Sequence, residues 1–228
     1  MPLFVIGDPH LSFGCEKPMD IFRGWQDYTL RLEKNWRRVV SPEDTVVVAG
    51  DISWAMSLEE GEKDFAFLER LPGKKLLLKG NHDYWWSTRK KMEDFFETKG
   101  FPSLGIIHNN AIRVENISVC GTRGWFYDAE KDAEKKVLLR EAGRLRASIL
   151  AARELGGEPI AFLHYPPVYS SAVCEEMMQV LEESKIKRCY YGHLHGASIG
   201  RAVQGEYRGI EFRLISCDAL NFCPLRVL

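Results

Sequence analysis

The chain has 228 residues, and its 31 Lys and Arg nearly balance its 32 Asp and Glu, so the net charge is −1 with histidine neutral. This balance argues against a polybasic protein of nucleic acid or membrane surfaces, and no apolar run approaches the roughly 18 residues of a membrane span. With 45% hydrophobic residues, we expect one cytoplasmic domain over residues 1–228 that begins at Met1 without a targeting segment.

Short apolar or β-branched runs alternate with longer amphipathic segments, which is typical of an α/β fold. In chain order the sequence predicts strand 3–6, helix 25–40, strand 45–49, helix 58–71, strand 75–79 and helix 87–98. Turns at Asn109-Asn110 and Glu115-Asn116 predict antiparallel strands between 106 and 120. Beyond them we expect helix 130–155, strand 159–163, helix 174–184, strand 188–191 and two β segments, 198–203 and 210–216.

The six cysteines are scattered along the chain without a Cys-x-x-Cys pair. Cys120, Cys189 and Cys217 lie in or beside apolar segments that resemble strands. Disulfide frameworks are typical of shorter, secreted chains with small cores, and zinc-ribbon sites need paired cysteines. The sequence therefore predicts reduced and mostly buried thiols.

Five predicted strands end in the same way, with an apolar run followed at once by side chains that can bind metal. These endings are Asp8-Pro9-His10, Gly50-Asp51, Gly80-Asn81-His82-Asp83, His164 and Gly192-His193-Leu194-His195. In α/β sheets, ligands bind in the crevice beyond the carboxyl ends of the strands. We therefore expect these side chains to meet at one rim, with the glycines allowing a sharp exit from the strand.

Five of the six histidines lie in these endings, and only His108 does not. A single histidine at the end of a strand is more often structural than functional, but five together reverse that expectation. For His108, which lies in a predicted turn, the structural interpretation is favoured.

The donors in these endings are two carboxylates, one amide and four imidazoles. They belong to Asp8, His10, Asp51, Asn81, His164, His193 and His195. Nitrogen and oxygen donors without thiolate suit Mn, Fe, Co, Ni or Zn, and the set is large enough for two ions that share a bridging ligand. Two divalent ions, two carboxylates and one bridging hydroxide leave a positive centre that attracts a phosphate oxyanion.

In their order, these motifs resemble the calcineurin-like metallophosphoesterases, over residues 8 to 195. The resemblance implies an α/β fold of two packed mixed β-sheets flanked by helices, a four-layer αββα sandwich. It also implies that Asp51 bridges two metals, the first held with Asp8, His10 and His195, the second with Asn81, His164 and His193. His82 would protonate the leaving oxygen or stabilise charge, Asp83 would orient its imidazole, and Asn81 would also face the substrate.

The implied activity is hydrolysis of a small phosphomonoester or phosphodiester, such as a nucleotide or aryl ester, by in-line attack of a metal-bridging hydroxide. Protein phosphatases of this superfamily carry Asp-Arg-Gly after the second motif, whereas this chain has Trp54-Ala55-Met56. A protein phosphatase is therefore disfavoured. Arg123, flanked by glycines after a strand, is a candidate phosphate contact, although a solvated loop arginine fits the pattern as well.

Aromatic residues are frequent just beyond the motifs. They are Trp54, Tyr84, Trp85, Trp86, Trp125, Phe126, Tyr127, Tyr165 and Tyr169. Core filling explains most of them best, and a stacking wall for a nucleobase or aryl group above the metals is the alternative. Residues 11–24 form either a lid or a passive loop.

Other function classes remain as alternatives. The segment 196–200 matches Gly-x-Ser-x-Gly of serine hydrolases. That mechanism requires a histidine later in the chain, and none follows this segment. An inactive metal-binding regulatory module would be expected to lack a metal ligand or His82, and here all seven predicted ligands and His82 are present. A nuclease is disfavoured by the balanced charge, so we expect a small phosphoester as partner, with no membrane, no long nucleic acid and no predicted oligomeric state.

Overall fold

The computed structural model describes residues 2–125 and 132–227. Its strands are β1 Leu3–Ile6, β2 Thr45–Ala49, β3 Lys74–Leu78, β4 Leu104–Ile107, β5 Ile112–Val114, β6 Ile117–Thr122, β7 Glu158–Leu163, β8 Val168–Tyr169, β9 Ala172–Val173, β10 Arg188–Tyr191, β11 Gly205–Tyr207, β12 Ile210–Leu214 and β13 Leu225–Arg226. Its α-helices are α1 Tyr28–Val39, α2 Glu62–Glu69, α3 Arg89–Lys99, α4 Asp132–Leu155 and α5 Glu175–Glu183. A short 3-10 helix covers Gly196–Arg201.

Two mixed sheets pack face to face. The first has the order β13-β1-β2-β3-β4 and the second the order β11-β12-β10-β7-β6-β5, while β8 and β9 form a separate hairpin. The inner strands of each sheet are parallel, and β13, β11 and β5 are antiparallel edges. The α/β fold predicted from the residue pattern, and the two mixed sheets flanked by helices that the family resemblance implies, are confirmed.

Alternation along the strands divides the apolar side chains between two faces. In β2, Val46 and Val48 pack against the helices α1 to α3, whereas Val47 and Ala49 face the second sheet. The second sheet behaves in the same way, with its outer face covered by α4 and α5. Three apolar layers therefore separate four layers of secondary structure.

The carboxyl ends of the parallel strands of both sheets lie at one rim. A parallel bridge joins Gly7, just beyond β1, to Ser216, just beyond β12. The backbone N–H of Gly7 donates to the carbonyl of Ile215 at 2.6 Å. This connection places the strand-end motifs of the two sheets side by side.

The predicted antiparallel strands between 106 and 120 are correct only in part. The turn at Glu115-Asn116 joins β5 and β6 as an antiparallel hairpin, with Glu115 in the left-handed region at φ 54°. The turn at Asn109-Asn110 instead carries the chain from one sheet to the other, because β4 pairs in parallel with β3. The Asn110 side chain stabilises this crossing by accepting from the His108 N–H at 2.6 Å.

The predicted strand 198–203 is wrong, because most of this segment lies in the 3-10 helix Gly196–Arg201. The Ser198 hydroxyl accepts from the His195 N–H at 2.9 Å and donates to the His195 carbonyl at 2.6 Å, which holds the helical turn. These bonds occupy the serine of the Gly-x-Ser-x-Gly match. The β segment before β12 is β11, which begins only at Gly205.

All six cysteines are free thiols, and four of them are buried, as the sequence predicts.

Among the helices of residues 2–125 and 132–227, none combines the length and the apolar character needed to cross a membrane.

Candidate metal centre

The seven predicted donors meet at the shared rim. Asp8 and His10 follow β1, Asp51 follows β2, Asn81 follows β3, His164 follows β7, and His193 and His195 follow β10. Six of them form two groups with metal-ligand spacing, Asp8 with His10 and His195, and Asp51 with His164 and His193. Within each group the donor atoms lie within 4.8 Å of one another.

Asp51 connects the two groups. Its Oδ2 lies 3.7 Å from Nε2 of His10 and 3.5 Å from Nε2 of His164. The amide oxygen of Asn81 lies 2.6 Å from the same His164 nitrogen, which adds this residue to the second group. In the first group, Nε2 of His10 and Nε2 of His195 are 3.3 Å apart.

The backbone at this rim is strained. Asp8, His10, Asp51 and His193 all adopt positive φ angles, of 56°, 46°, 47° and 72°. Such conformations cost on the order of 1–3 kcal/mol each and concentrate at functional sites, where the surrounding structure enforces them. Here they turn four donor side chains towards a common point.

Two of the glycines before the donors are required by close approach. A Cβ on Gly80 would collide with the backbone nitrogen and Oδ1 of Asp51, and a Cβ on Gly192 would collide with Oδ2 of Asp8. The absence of side chains at these positions therefore lets donors from neighbouring strands lie next to each other.

The charges of the site suit a bound cation. Asp8 is 0% and Asp51 2% exposed, and across residues 2–125 and 132–227 their ion-pair partners are all histidines. Burial raises the pKa of Asp8 to about 8. Buried carboxylates without a lysine or arginine partner are costly unless another cation compensates them.

The histidines are also in the form that binds metal. Burial lowers the pKa values of His10, His164 and His193 to about 3, so these rings are neutral at physiological pH. In addition, the Nδ1 atom of His10 is buried without a hydrogen-bond partner among the described residues. Neutral imidazoles with carboxylate and amide oxygens fit divalent transition metals.

Asp218 is a residue of the site that the sequence analysis missed. Its Oδ1 lies 2.9 Å from Nδ1 of His195, and its Oδ2 accepts from the Gly196 N–H at 2.9 Å. Burial alone would lower the pKa of His195, but the hydrogen bond with Asp218 and the negative charges of Asp8, Asp218 and Asp51 together outweigh it and raise that pKa. A signal was present, since Asp218 follows the mostly apolar segment 214–217 at the end of β12.

His82 lies at the rim beside the donors. Its backbone N–H donates to Oδ1 of Asp51 at 2.8 Å, and its ring centroid is 5.8 Å from that of His10. The hydroxyl of Tyr84 lies 3.4 Å from Nδ1 of His82. This leaves Nε2 as the nitrogen available to a substrate.

Asp83 does not orient the imidazole of His82, and this part of the expectation is corrected. Its Oδ1 accepts from the N–H groups of Ile52 and Ser53 and from Nε1 of Trp85, and its Oδ2 accepts from the Gly80 N–H at 2.6 Å. The carboxylate therefore ties the loop after β3 to the loop after β2. Its role is to shape the backbone that presents Asp51 and Asn81.

The structure separates the predicted aromatic wall into buried and accessible members. Trp85 is 3% exposed and bonded to Asp83, so it belongs to the core. Trp54 is half-buried and stacks on His10 at 5.0 Å between ring centroids, with His82 at 4.3 Å on the same indole. The ring centroid of Trp125 lies 5.8 Å from that of Tyr165. Phe126 and Tyr127 are outside the described residues.

Arg123 lies next to the second group. Its carbonyl accepts from the N–H groups of His164 and Tyr165 at 3.1 and 2.8 Å. Its guanidinium pairs with the buried Glu141 at 3.4 Å and lies over the Trp125 ring, 4.7 Å from the ring centroid.

Residues 1–197 match the family model of calcineurin-like phosphoesterases. Among solved structures, the chain is similar to a phosphopantetheinyl hydrolase from Mycobacterium tuberculosis, with a TM-score of 0.56, 15% identity and coverage of 100% of this chain and 95% of that one. It is also similar to a protein of unknown function from Aquifex aeolicus, with a TM-score of 0.53, 16% identity and coverage of 99% and 95%.

A protein from Thermus thermophilus has a TM-score of 0.56 at 13% identity, with coverage of 85% of this chain and 81% of that one. At these identities, each likeness shows a shared fold. No curated protein matches the chain significantly in sequence.

Proposed function

This chain belongs to the family of calcineurin-like phosphoesterases, and we propose that it hydrolyses a small phosphoester with two divalent transition-metal ions (Mn, Fe, Zn, Co or Ni). The family and the two donor groups support a metal-dependent phosphoesterase. The observation that carries the dinuclear proposal is the position of Asp51, whose carboxylate faces histidines of both groups at 3.5 and 3.7 Å.

The residues divide into two sets by what they would hold. Asp8, His10 and His195 would hold one ion, and Asn81, His164 and His193 the other, with Asp51 shared between them. When bound, such a pair of ions supplies positive charge for a phosphate and lowers the pKa of bound water.

His82 would supply the proton that the leaving oxygen needs. Its backbone bond to Asp51 holds the ring near the centre, and Tyr84 faces its Nδ1. Nε2 can therefore point to a bound ester and transfer its proton to the leaving oxygen. Trp54, packed against the same ring, excludes water from one side of the site.

The same segment supports a small substrate. Residues 50–61, which include Trp54, contain no lysine or arginine, so this loop offers no cation to a phosphate on a protein surface. The half-buried indole of Trp54 instead offers a flat apolar face next to His82. A nucleobase or aryl leaving group could stack there, a contact worth about 1–3 kcal/mol.

Hydrolysis of a substrate panel by the protein loaded with Mn²⁺ tests the proposal. The panel contains nucleotides, cyclic nucleotides, aryl monoesters, aryl diesters and a phosphopeptide. We expect metal-dependent turnover with the highest kcat/KM for a nucleotide or aryl ester. The highest value for the phosphopeptide would indicate a protein phosphatase, and no turnover with full metal loading would indicate an inactive module.

A further inference from the structure

A second cluster of polar side chains lies at the same rim, further along both sheets. Lys79 follows β3, His108 follows β4 and Arg123 follows β6, and α4 contributes Glu141 and Arg144. These five residues line one cleft, here named the cationic pocket.

The cationic pocket has an excess of positive charge. Glu141 is 0% exposed, and its Oε1 pairs with Arg144 at 2.6 Å and with Arg123 at 3.4 Å. Its Oε2 accepts from the Thr122 hydroxyl at 2.6 Å. The residues that line the cleft therefore include three cations, Lys79 among them, and a single carboxylate.

Two groups in the pocket are left without partners within the described part of the chain. The half-buried Lys79 has no hydrogen bond or ion pair there, and Nε of Arg123 is buried without an acceptor. Cations partly removed from water are costly unless an anion pairs with them. Glu141 is already paired with Arg123 and Arg144, so its charge does not require Lys79.

His108 adds a hydrogen-bond donor to the pocket. Nδ1 of His108 accepts from Nε1 of Trp86 at 3.1 Å, so the proton of the neutral ring is on Nε2. His108 thus combines the structural role expected for it with an Nε2–H group at the pocket.

The pocket borders the Asn81–His164 side of the metal centre. Lys79 precedes Asn81 by two residues, and the Arg123 carbonyl accepts from the His164 N–H at 3.1 Å. The interior of the cleft has space of only about 20 Å³, enough for one water. An anion would therefore bind at its mouth, where the Arg144 side chain is 35% exposed.

We propose that the cationic pocket binds a second phosphate group of the substrate, next to the phosphoester that is cleaved. This inference rests on the proposed function and narrows its substrate class to compounds with two phosphates. Arginine and lysine suit this task because their hydrogen bonds to phosphate are charge-assisted.

Steady-state kinetics on substrates with one phosphate and with two phosphates test the role of the pocket. The substrates are para-nitrophenyl phosphate, adenosine diphosphate, and a nucleoside bisphosphate whose phosphates are on different sugar hydroxyls. For Lys79→Gln and Arg144→Gln we expect kcat/KM to fall about tenfold or more on the two-phosphate substrates, the usual effect of losing one charge-assisted bond. The value for para-nitrophenyl phosphate should stay within about twofold.

Arg146→Gln is the matched control. It removes the same charge from the same helix, but Arg146 is exposed and pairs with Glu183 at 2.7 Å, away from the pocket. This variant should behave as wild type on all three substrates. An equal loss on one-phosphate and two-phosphate substrates, or an equal loss in the control, would overturn the proposal.

A binding measurement separates this proposal from the proposed function. Methylenediphosphonate and methylphosphonate are titrated into the metal-loaded proteins by calorimetry. We expect Lys79→Gln and Arg144→Gln to bind the diphosphonate about tenfold more weakly and the monophosphonate unchanged. If the variants bind the diphosphonate more weakly but the wild type hydrolyses no ester, the proposed function alone is contradicted. If the wild type hydrolyses an ester but the variants bind the diphosphonate as tightly as wild type, the second phosphate site alone is contradicted.

Discussion

The carboxylate of Asp218 lies 2.9 Å from Nδ1 of His195 and directs the other ring nitrogen of that histidine, Nε2, towards Asp8 and His10. Carboxylates in this position fix the tautomer and orientation of a metal-binding histidine. Asp218 lies beyond β12, 23 residues after the histidine that it orients.

Replacing Asp218 with Asn should weaken metal binding at the first group without unfolding the protein. Loss of such a partner typically costs about 10-fold to 100-fold in metal affinity, which competition with a chelator would measure. The control is Asp94→Asn, because Asp94 is exposed and pairs with Lys90 on the surface of α3. Unchanged affinity in the Asp218 variant would show that His195 is oriented without this bond.

Asp51→Asn should lower the occupancy of both metal positions. Oδ2 of Asp51 faces His10 of one group and His164 of the other, so its charge is shared. Metal analysis of the purified variant should find less than half the content of wild type. Wild-type protein with one ion per chain under saturating metal would contradict the dinuclear centre.

His82→Ala should leave the metal content near normal and lower turnover by about 10²-fold to 10⁴-fold, the usual contribution of one general acid or base. The reason is that the ring lies beside the donors, while only its backbone N–H bonds to Asp51. Steady-state kinetics on an aryl phosphate and metal analysis of the same sample provide the two measurements. Full turnover, or loss of metal, would remove His82 from the proposed role.

Trp54→Ala should reduce kcat/KM for aryl and nucleotide esters by about 10-fold, within the range of one lost stacking contact. The indole packs on His10 and His82, so it borders both the donors and the proposed acid. Trp54→Phe keeps an aromatic face and should retain most of the activity. If both variants match wild type on every ester, Trp54 is not part of the substrate site.

Lys75 links stability to pH. This side chain is 0% exposed, its Nζ donates to the carbonyls of Leu71 and Gly73, and burial lowers its pKa from 10.5 to about 8. Below about pH 8 the ammonium is present in both the folded and the unfolded state, so the full cost of burying the charge applies. Between about 8 and 10.5 the folded state loses the proton first, and the free energy of unfolding rises.

Urea unfolding of wild type and Lys75→Met at about pH 7.5 and about pH 10 tests this sign. Wild type should gain about 1–3 kcal/mol relative to the variant over that interval. Lys74→Met, an exposed lysine on the same strand, is the control. An equal pH dependence in wild type and Lys75→Met would contradict the prediction.

The meeting of the seven predicted donors at one rim could be predicted because it depends on topology. Parallel strands place their carboxyl ends at one edge, so an apolar run followed by Asp or His indicates where that side chain lies. His164 illustrates this, since a lone histidine after strand β7 meets Asn81 of the other sheet at 2.6 Å.

The roles of Asp83 and Asp218 could not be predicted in the same way. Asp83 stands beside His82 in the sequence, yet its carboxylate turns to backbone groups of the loop after β2. Whether a side chain of a loop faces its neighbour or another loop depends on local φ and ψ values, which the residue pattern does not reveal.

The sequence by itself determined the α/β class and the strand ends at which the seven predicted donors lie, because alternation of apolar residues and strand-end motifs follow simple periodic rules. Only the tertiary structure decided that Trp54 rather than Trp85 borders the site, that Asp218 orients His195, and that Lys79, Arg123 and Arg144 share one cleft. These relationships arise between loops far apart in the chain, where the packing of two sheets selects which side chains meet.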